Sequence, residues 1–129
     1  MTSIRADGVT DKYKMYFIIN SDLKMKAGKM SAQCAHAAVT WAIKIHADGQ
    51  TDSVFTEWYN FGQPKVVLKA TQTVLELLLQ KYSASASAIA IAVHDAGRTQ
   101  VAAGSLTVVC FRPMAVSDCP PDLIKLSLA

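Results

Sequence analysis

Cysteine is scarce. Cys34, Cys110 and Cys119 are the only three in 129 residues. No two are spaced as CxxC, and an odd, scattered count does not make a disulfide framework. That usage fits a reducing compartment, so a cytoplasmic location is expected. His36, His46 and His94 do not join the cysteines in a ligand-like spacing, so neither a metal nor any other cofactor is expected. Glycine and proline are also sparse, at six and four, too few for an interdomain linker or a low-complexity tract. Long apolar runs are missing: no window approaches the ~18–20 residues of a membrane helix. The first apolar run, residues 15–19, is short and follows a polar stretch, which does not read as a signal peptide. A soluble protein with no membrane partner is expected.

What is present suits one packed domain. Half the residues are apolar (51%), and the length leaves no room for two cores. Residues 1–12 are polar and read as a flexible tail, with residues 13–129 as the domain. The net charge of +3 is small but unevenly placed. Residues 12–29 hold Lys12, Lys14, Lys24, Lys26 and Lys29 against Asp22 alone. Such a patch suits a polyanionic partner, or is an ordinary solvated lysine loop.

The apolar pattern orders the elements. Residues 15–19 are continuous, β-rich and too short for a helix, as a central strand buried on both faces should be. Residues 30–48 read as a long helix, with Ala32, Ala35, Ala38, Val39, Ala42 and Ile45 toward a sheet and Gly49 as its stop. A short helix over 52–61 carries Val54, Phe55, Trp58 and Tyr59. Residues 65–69 form a strand. Thr71 then caps a leucine-rich helix. Residues 88–93 alternate Ala with Ile or Val, placing Ile89, Ile91 and Val93 on one face. Residues 106–111 are the fourth strand, and Pro120-Pro121 open a short C-terminal segment. The order β-α-α-β-α-β-β predicts an α/β fold with a mixed sheet, strands three and four being antiparallel neighbours.

Two segments can carry chemistry. Gly28-Lys29-Met30-Ser31 precedes a helix but is no phosphate-binding P-loop, since Leu23 and Met30 stand where glycine and Ser/Thr are needed. A helix N-terminus with a lysine still binds phosphate or stabilises an oxyanion. Lys29, Gln33, His36 and Thr40 continue it as a polar stripe opposite the alanines, either a site or a solvated face. The second segment, residues 94–100 (HDAGRTQ), leaves a strand into a glycine-punctuated loop, either a site or a polar turn. As a site, Asp95 is a base or water-orienting carboxylate and Thr99 a hydroxyl donor or nucleophile. Alternation puts Asp95 with Val93 and turns His94 the other way, so the two are not a dyad.

Taken together, residues 20–29 (NSDLKMKAGK), 32–38 (AQCAHAA), 62–69 (GQPKVVLK) and 95–100 (DAGRTQ), with Gly104-Ser105 following, resemble the archaeal/eukaryotic (type 2) peptidyl-tRNA hydrolases. The resemblance covers about residues 13–112. It implies a three-layer α/β/α sandwich with a four-stranded mixed sheet, and a homodimer, which an exposed aromatic-rich segment over 54–61 also favours, since a small monomer would find it hard to cover. It implies hydrolysis of the ester between peptide and tRNA, without a metal. Lys29, Asp95 and Thr99 match the family's catalytic positions, and Gln33 and His36 its first-helix motif. Lys24, Lys26, Lys65 and Arg98 are the expected contacts to tRNA phosphates. His94 stands where many members have glutamine, Ala103 where proline is usual, and the tail after Arg112 departs from the pattern. A binding-only adaptor of the same fold is the alternative function.

Overall fold

The computed structural model describes residues 12–47, 52–84, 87–97 and 104–129. Gly49, Arg98, Thr99, Gln100, Ala103 and residues 1–11 of the expected tail lie outside them. The elements run β1 (Tyr13–Asn20), α1 (Ala27–Ala47), α2 (Ser53–Asn60), β2 (Lys65–Ala70), α3 (Gln72–Tyr82), β3 (Ala90–His94), β4 (Leu106–Ala115), α4 (Pro121–Ile124) and β5 (Ser127–Leu128), with a 3₁₀ turn at Ser21–Leu23 and another at Val116–Asp118. One mixed sheet has the order β3-β4-β1-β2-β5. β1 and β2 are parallel, and the remaining pairs are antiparallel.

β1 is the central strand, as its unbroken apolar run predicts. Met15, Phe17 and Ile19 face one core with Ala37 and Trp41 of α1 and Trp58 of α2. Tyr16 and Ile18 face the other with Leu75 and Leu78 of α3 and Leu123 of α4. Ile91 and Val93 of β3 belong to the first core and Ala90 and Ala92 to the second. Ile89 precedes the strand and packs in the second core, so the large face of β3 is shorter than the alternation suggests.

The sheet has five strands where four were expected. β5 pairs with β2 through Leu68↔Leu128 and Lys69↔Ser127. A strand of two residues is too short to show alternation, so the sequence carries no mark of it. β4 is also longer than its apolar run. Between the pairs Lys14↔Met114 and Tyr16↔Phe111, Met15 opposes both Arg112 and Pro113. A bulge there absorbs a proline that has no N–H to give the ladder.

Two helices differ from their sequence reading. α1 starts at Ala27, three residues early, so Gly28 and Lys29 belong to its first turn. Its buried side is Ala37, Trp41 and Ile45, whereas Ala32, Ala35 and Val39 are exposed. An alanine-rich helix has little amphipathic preference. The Trp41 indole sets its rotation instead, donating from Nε1 to the Cys110 carbonyl at 2.9 Å. α3 begins after Thr71, but that hydroxyl makes no capping bond. The Asp22 carboxylate, fifty positions away, accepts from the Gln72 N–H at 2.9 Å.

Asn20 joins these parts. It ends β1, is 1% exposed, and its side chain makes three bonds. Nδ2 donates to the Leu106 carbonyl (2.8 Å) and to Gln72 Oε1 (2.6 Å), and Oδ1 accepts from the Asp22 N–H (3.0 Å). Asn20→Ala should cost about 1–3 kcal/mol, since buried groups lose their partners. Urea unfolding should show a lower midpoint at unchanged m-value. A midpoint equal to that of the parent would refute this fastening role.

Candidate active site

At the end of the sheet where β1 stops, three segments meet. The first turn of α1 supplies Lys29. The end of β3 supplies Asp95. The start of β4 supplies Thr107. Asp95 continues the β3–β4 ladder by one step: its N–H donates to the Ser105 carbonyl at 2.9 Å, and its carbonyl accepts from Gly104 at 2.8 Å. Gly104 adopts φ +82° there, a left-handed conformation that glycine takes without strain. Two backbone bonds thus hold Asp95 beside Gly104 and Ser105.

Lys29 Nζ is hydrogen-bonded and ion-paired to Asp95 Oδ1. The pair is out of water, with side chains 9% and 2% exposed. Asp95 Oδ2 accepts from the Gly97 N–H at 2.6 Å. The Lys29 amine holds the Asp95 carboxyl below the usual carboxylate range, the Gly97 N–H acts in the same sense, and burial opposes both. Asp95 is therefore an anion at neutral pH, and a weaker base than a free carboxylate. An ammonium has three donors, so Lys29 can serve Asp95 and still approach a substrate oxygen. The N-terminus of α1 adds its partial positive charge beside it. Gly28 lies open there, since a Cβ built on it would meet nothing within 4 Å.

The expected polar stripe on α1 divides. Lys29 and Gln33 turn toward the sheet, with Gln33 Oε1 lying 2.6 Å from the Thr107 hydroxyl. His36 is exposed, and among the described residues its imidazole makes no hydrogen bond. Thr40 bonds back to the His36 carbonyl at 2.9 Å. Asp95 faces α1 with Val93, and His94 is exposed, as alternation predicts. Arg98 and Thr99 lie outside the described residues.

The basic patch also divides. Lys12 and Lys14 lie at the start of β1, while Lys24, Lys26 and Lys29 follow its end. Lys24 and Lys26 are exposed beside α1, Lys24 in a left-handed conformation at φ 50°. Lys65 pairs with Met15, whereas Asn20 pairs with Ala70. This places Lys65 at the far end of β2, roughly 17 Å away at 3.3 Å per residue. It sits against the Trp58 ring at 5.3 Å and bonds the Gln63 carbonyl, and burial lowers its pKa.

Sequence reasoning missed Asn20 and Thr107. Each is a polar residue ending or starting an apolar strand, and Asn20 also opens the 20–29 segment. Cys34 and Cys110 are poor nucleophiles: burial pushes the Cys34 thiol up to about 11 and that of Cys110 further in the same direction. Among the described residues no group of three or more His, Cys, Asp or Glu could hold a metal ion.

The pair has a definite pH signature. A depressed carboxyl pKa stabilises the fold above the unfolded value near ~3.9, and that contribution is lost as pH falls through the folded value. In Lys29→Met the amine is gone while burial remains, so the Asp95 pKa should rise relative to the parent. Carbon-detected NMR titration of the side-chain carboxyl measures this. An unshifted Asp95 would mean that Lys29 is not what holds its charge.

With this geometry in view, the chain matches the family model described as Peptidyl-tRNA hydrolase PTH2 over residues 13–128. The match runs through the tail after Arg112, where the resemblance was expected to end. A Bos taurus protein named peptidyl-tRNA hydrolase 2, mitochondrial, is 40% identical over 120 residues, covering 91% of this chain and 62% of its own. A Schizosaccharomyces pombe protein named probable peptidyl-tRNA hydrolase 2 is 45% identical over 113 residues, 87% of this chain and 52% of its own. A Saccharolobus islandicus protein named peptidyl-tRNA hydrolase is 38% identical over 114 residues, 86% of this chain and 90% of its own. The chain thus spans less than two thirds of the two eukaryotic relatives and most of the archaeal one. The residues that build the Lys29–Asp95 pair and the sheet around it fall within the matched span, and the chain belongs to the peptidyl-tRNA hydrolase PTH2 family.

Proposed function

We propose that this chain hydrolyses the ester bond between a peptide and the 3′ end of tRNA, releasing tRNA for reuse. The observation that carries the reading is the Lys29–Asp95 pair at the N-terminus of α1, in a chain of this family. Lys29 and the helix N-terminus stabilise the negative charge that develops on the ester carbonyl oxygen. Asp95 holds Lys29 in place and orients the attacking water. Its depressed pKa favours orientation over proton abstraction. Thr99 supplies a hydroxyl in the same loop. Lys24, Lys26, Lys65 and Arg98 contact tRNA phosphates, Lys65 from the other end of the sheet. Gln33 supports the site, whereas His36 is left as a surface contact. No metal or other cofactor takes part.

Residues 13–129 act as one domain, a three-layer α/β/α sandwich. The division of the core between the two sheet faces supports this. A homodimer is part of the proposal, but its basis moves. Phe55 and Trp58 are buried, while Val39 and Ile43 of α1 are 58% and 64% exposed. Of the aromatic segment Tyr59 stays exposed, at 55%, so the surface to cover lies mainly on α1. We place the protein in the cytoplasm. Its three thiols are free, and among the described residues no helix is long and apolar enough to cross a membrane.

Release of free tRNA from N-blocked aminoacyl-tRNA is the test. Turnover is expected in the presence of EDTA. Binding of tRNA without release would favour the adaptor reading instead. Asp95→Asn should lower kcat about 10²–10³-fold at nearly constant affinity, because a neutral amide no longer fixes the Lys29 charge. Lys29→Ala should cost a comparable or smaller factor, and the double variant much less than the product of the two, because both residues serve one transition state. Near-parental kcat in Asp95→Asn would remove Asp95 from the mechanism. The apparent KM should rise with salt, and Lys24→Ala/Lys26→Ala should flatten that dependence by about 0.7–0.9 log unit per lost contact. An unchanged slope would put the tRNA path elsewhere.

A further inference from the structure

Thr107 is fully buried, on an apolar strand, and its side chain points where alternation would not send it. Along β4, Leu106, Val109 and Phe111 belong to one core and Val108 and Cys110 to the other. Leu106 and Val108 are two apart and should share a face. They do not, because a bulge intervenes: Val93 pairs with Val108 and His94 with Leu106, leaving Thr107 as the extra residue. The bulge turns Thr107 toward α1. Its Oγ1 there lies 2.6 Å from Gln33 Oε1 and 3.0 Å from the Val93 carbonyl oxygen.

Both of those neighbours are acceptors, and a hydroxyl has one proton. If it goes to Gln33 Oε1, the Thr107 and Val93 oxygens face each other at 3.0 Å with no proton between them. A half turn of the Gln33 amide removes the conflict: its NH₂ donates to Thr107 Oγ1, and Thr107 donates to Val93. The amide's O and N exchange places with no other change of shape. The outward atom of Gln33, which makes no hydrogen bond among the described residues, is then its carbonyl oxygen. It stands one helical turn from Lys29.

We infer that Thr107 is a positioning residue that locks the Gln33 amide with its carbonyl oxygen toward the reaction centre, where it accepts a hydrogen bond from the attacking water. The inference rests on the hydrolase reading for the water, but not for the amide orientation. In the reaction the water oxygen bonds to the ester carbonyl carbon and the bond to the tRNA 3′ oxygen breaks. One water proton ends on that oxygen, and the other passes to solvent as the peptide acid ionises to its carboxylate. Gln33 takes no proton. It holds one O–H so that a lone pair faces the carbon. In this orientation Gln33 offers no donor to the oxyanion, which leaves that task to Lys29 and the start of α1.

Side-chain amide hydrogen exchange by NMR reads the orientation directly. In the parent protein one Gln33 Nε2 proton should exchange at least about tenfold more slowly than those of exposed Gln80, and Thr107→Val should abolish the difference. Exchange of Gln33 at the Gln80 rate in the parent would overturn the inference. With N-blocked aminoacyl-tRNA, Thr107→Val should lower kcat about tenfold with KM within about twofold, and Thr107→Ser should restore most of kcat. Unchanged kcat in Thr107→Val, or loss through KM alone, would also overturn it. If Thr107→Val does not fold, Thr107→Ser and the parent exchange rates still decide. If the parent hydrolyses nothing, the hydrolase reading fails while the exchange result still settles the amide.

Discussion

A carboxylate and an ammonium leave water together only when each is held by the other and by further donors and acceptors. Asp95 meets that condition through Lys29 and the Gly97 N–H, Lys29 is held by Asp95 with donors left for a substrate oxygen, and much of the surrounding structure serves the pair. The pair needs the end of β3 beside the start of α1, sixty-six positions apart in the chain. Two backbone bonds between Asp95 and residues 104–105 anchor the carboxylate. The Trp41 indole, bonded to the Cys110 carbonyl, fixes the rotation of α1 and so the direction in which Lys29 points. A charge held this way changes character. Asp95 becomes a fixed anion more than a proton acceptor, and Lys29 becomes an oriented cation next to a helix N-terminus.

The sheet reaches this arrangement by breaking its own period twice. Each break is one extra residue on β4. One accommodates Pro113 at the far end. The other turns Thr107 toward α1 beside Gln33. Strand alternation alone would bury Thr107 in the opposite core among leucines, where its hydroxyl would face apolar side chains. The bulge lets a polar residue be fully buried and still hydrogen-bonded, in contact with the first helix.

Charge is handled in the same local way. The lysines that look like one cluster in the sequence are carried to opposite ends of β1. Lys24 and Lys26 remain exposed near the pair and are suited to a polyanion. Lys65 is held against Trp58 at the other end of the sheet. A linear run of like charges therefore overstates the field at any one place, because a strand carries its two ends far apart.

The sequence by itself determined the elements whose signal is local. The uniform burial of β1, the alternation of β3 and the leucines of α3 each follow from side-chain period, so the mixed α/β sheet was legible. So were Lys29 and Asp95, through the two motif segments that contain them, and the opposed directions of Asp95 and His94. What only the tertiary structure decided rests on long-range partners. The rotation of α1 was hidden because alanine on every side leaves no preferred face until Trp41 finds Cys110. The cap of α3 comes from Asp22 and not from Thr71. β5 is too short to have a period. Asn20 and Thr107 were passed over as the ends of apolar strands because a buried polar side chain is identified by what it bonds. Those bonds, to Leu106, Gln72, Gln33 and Val93, exist only after the chain has closed.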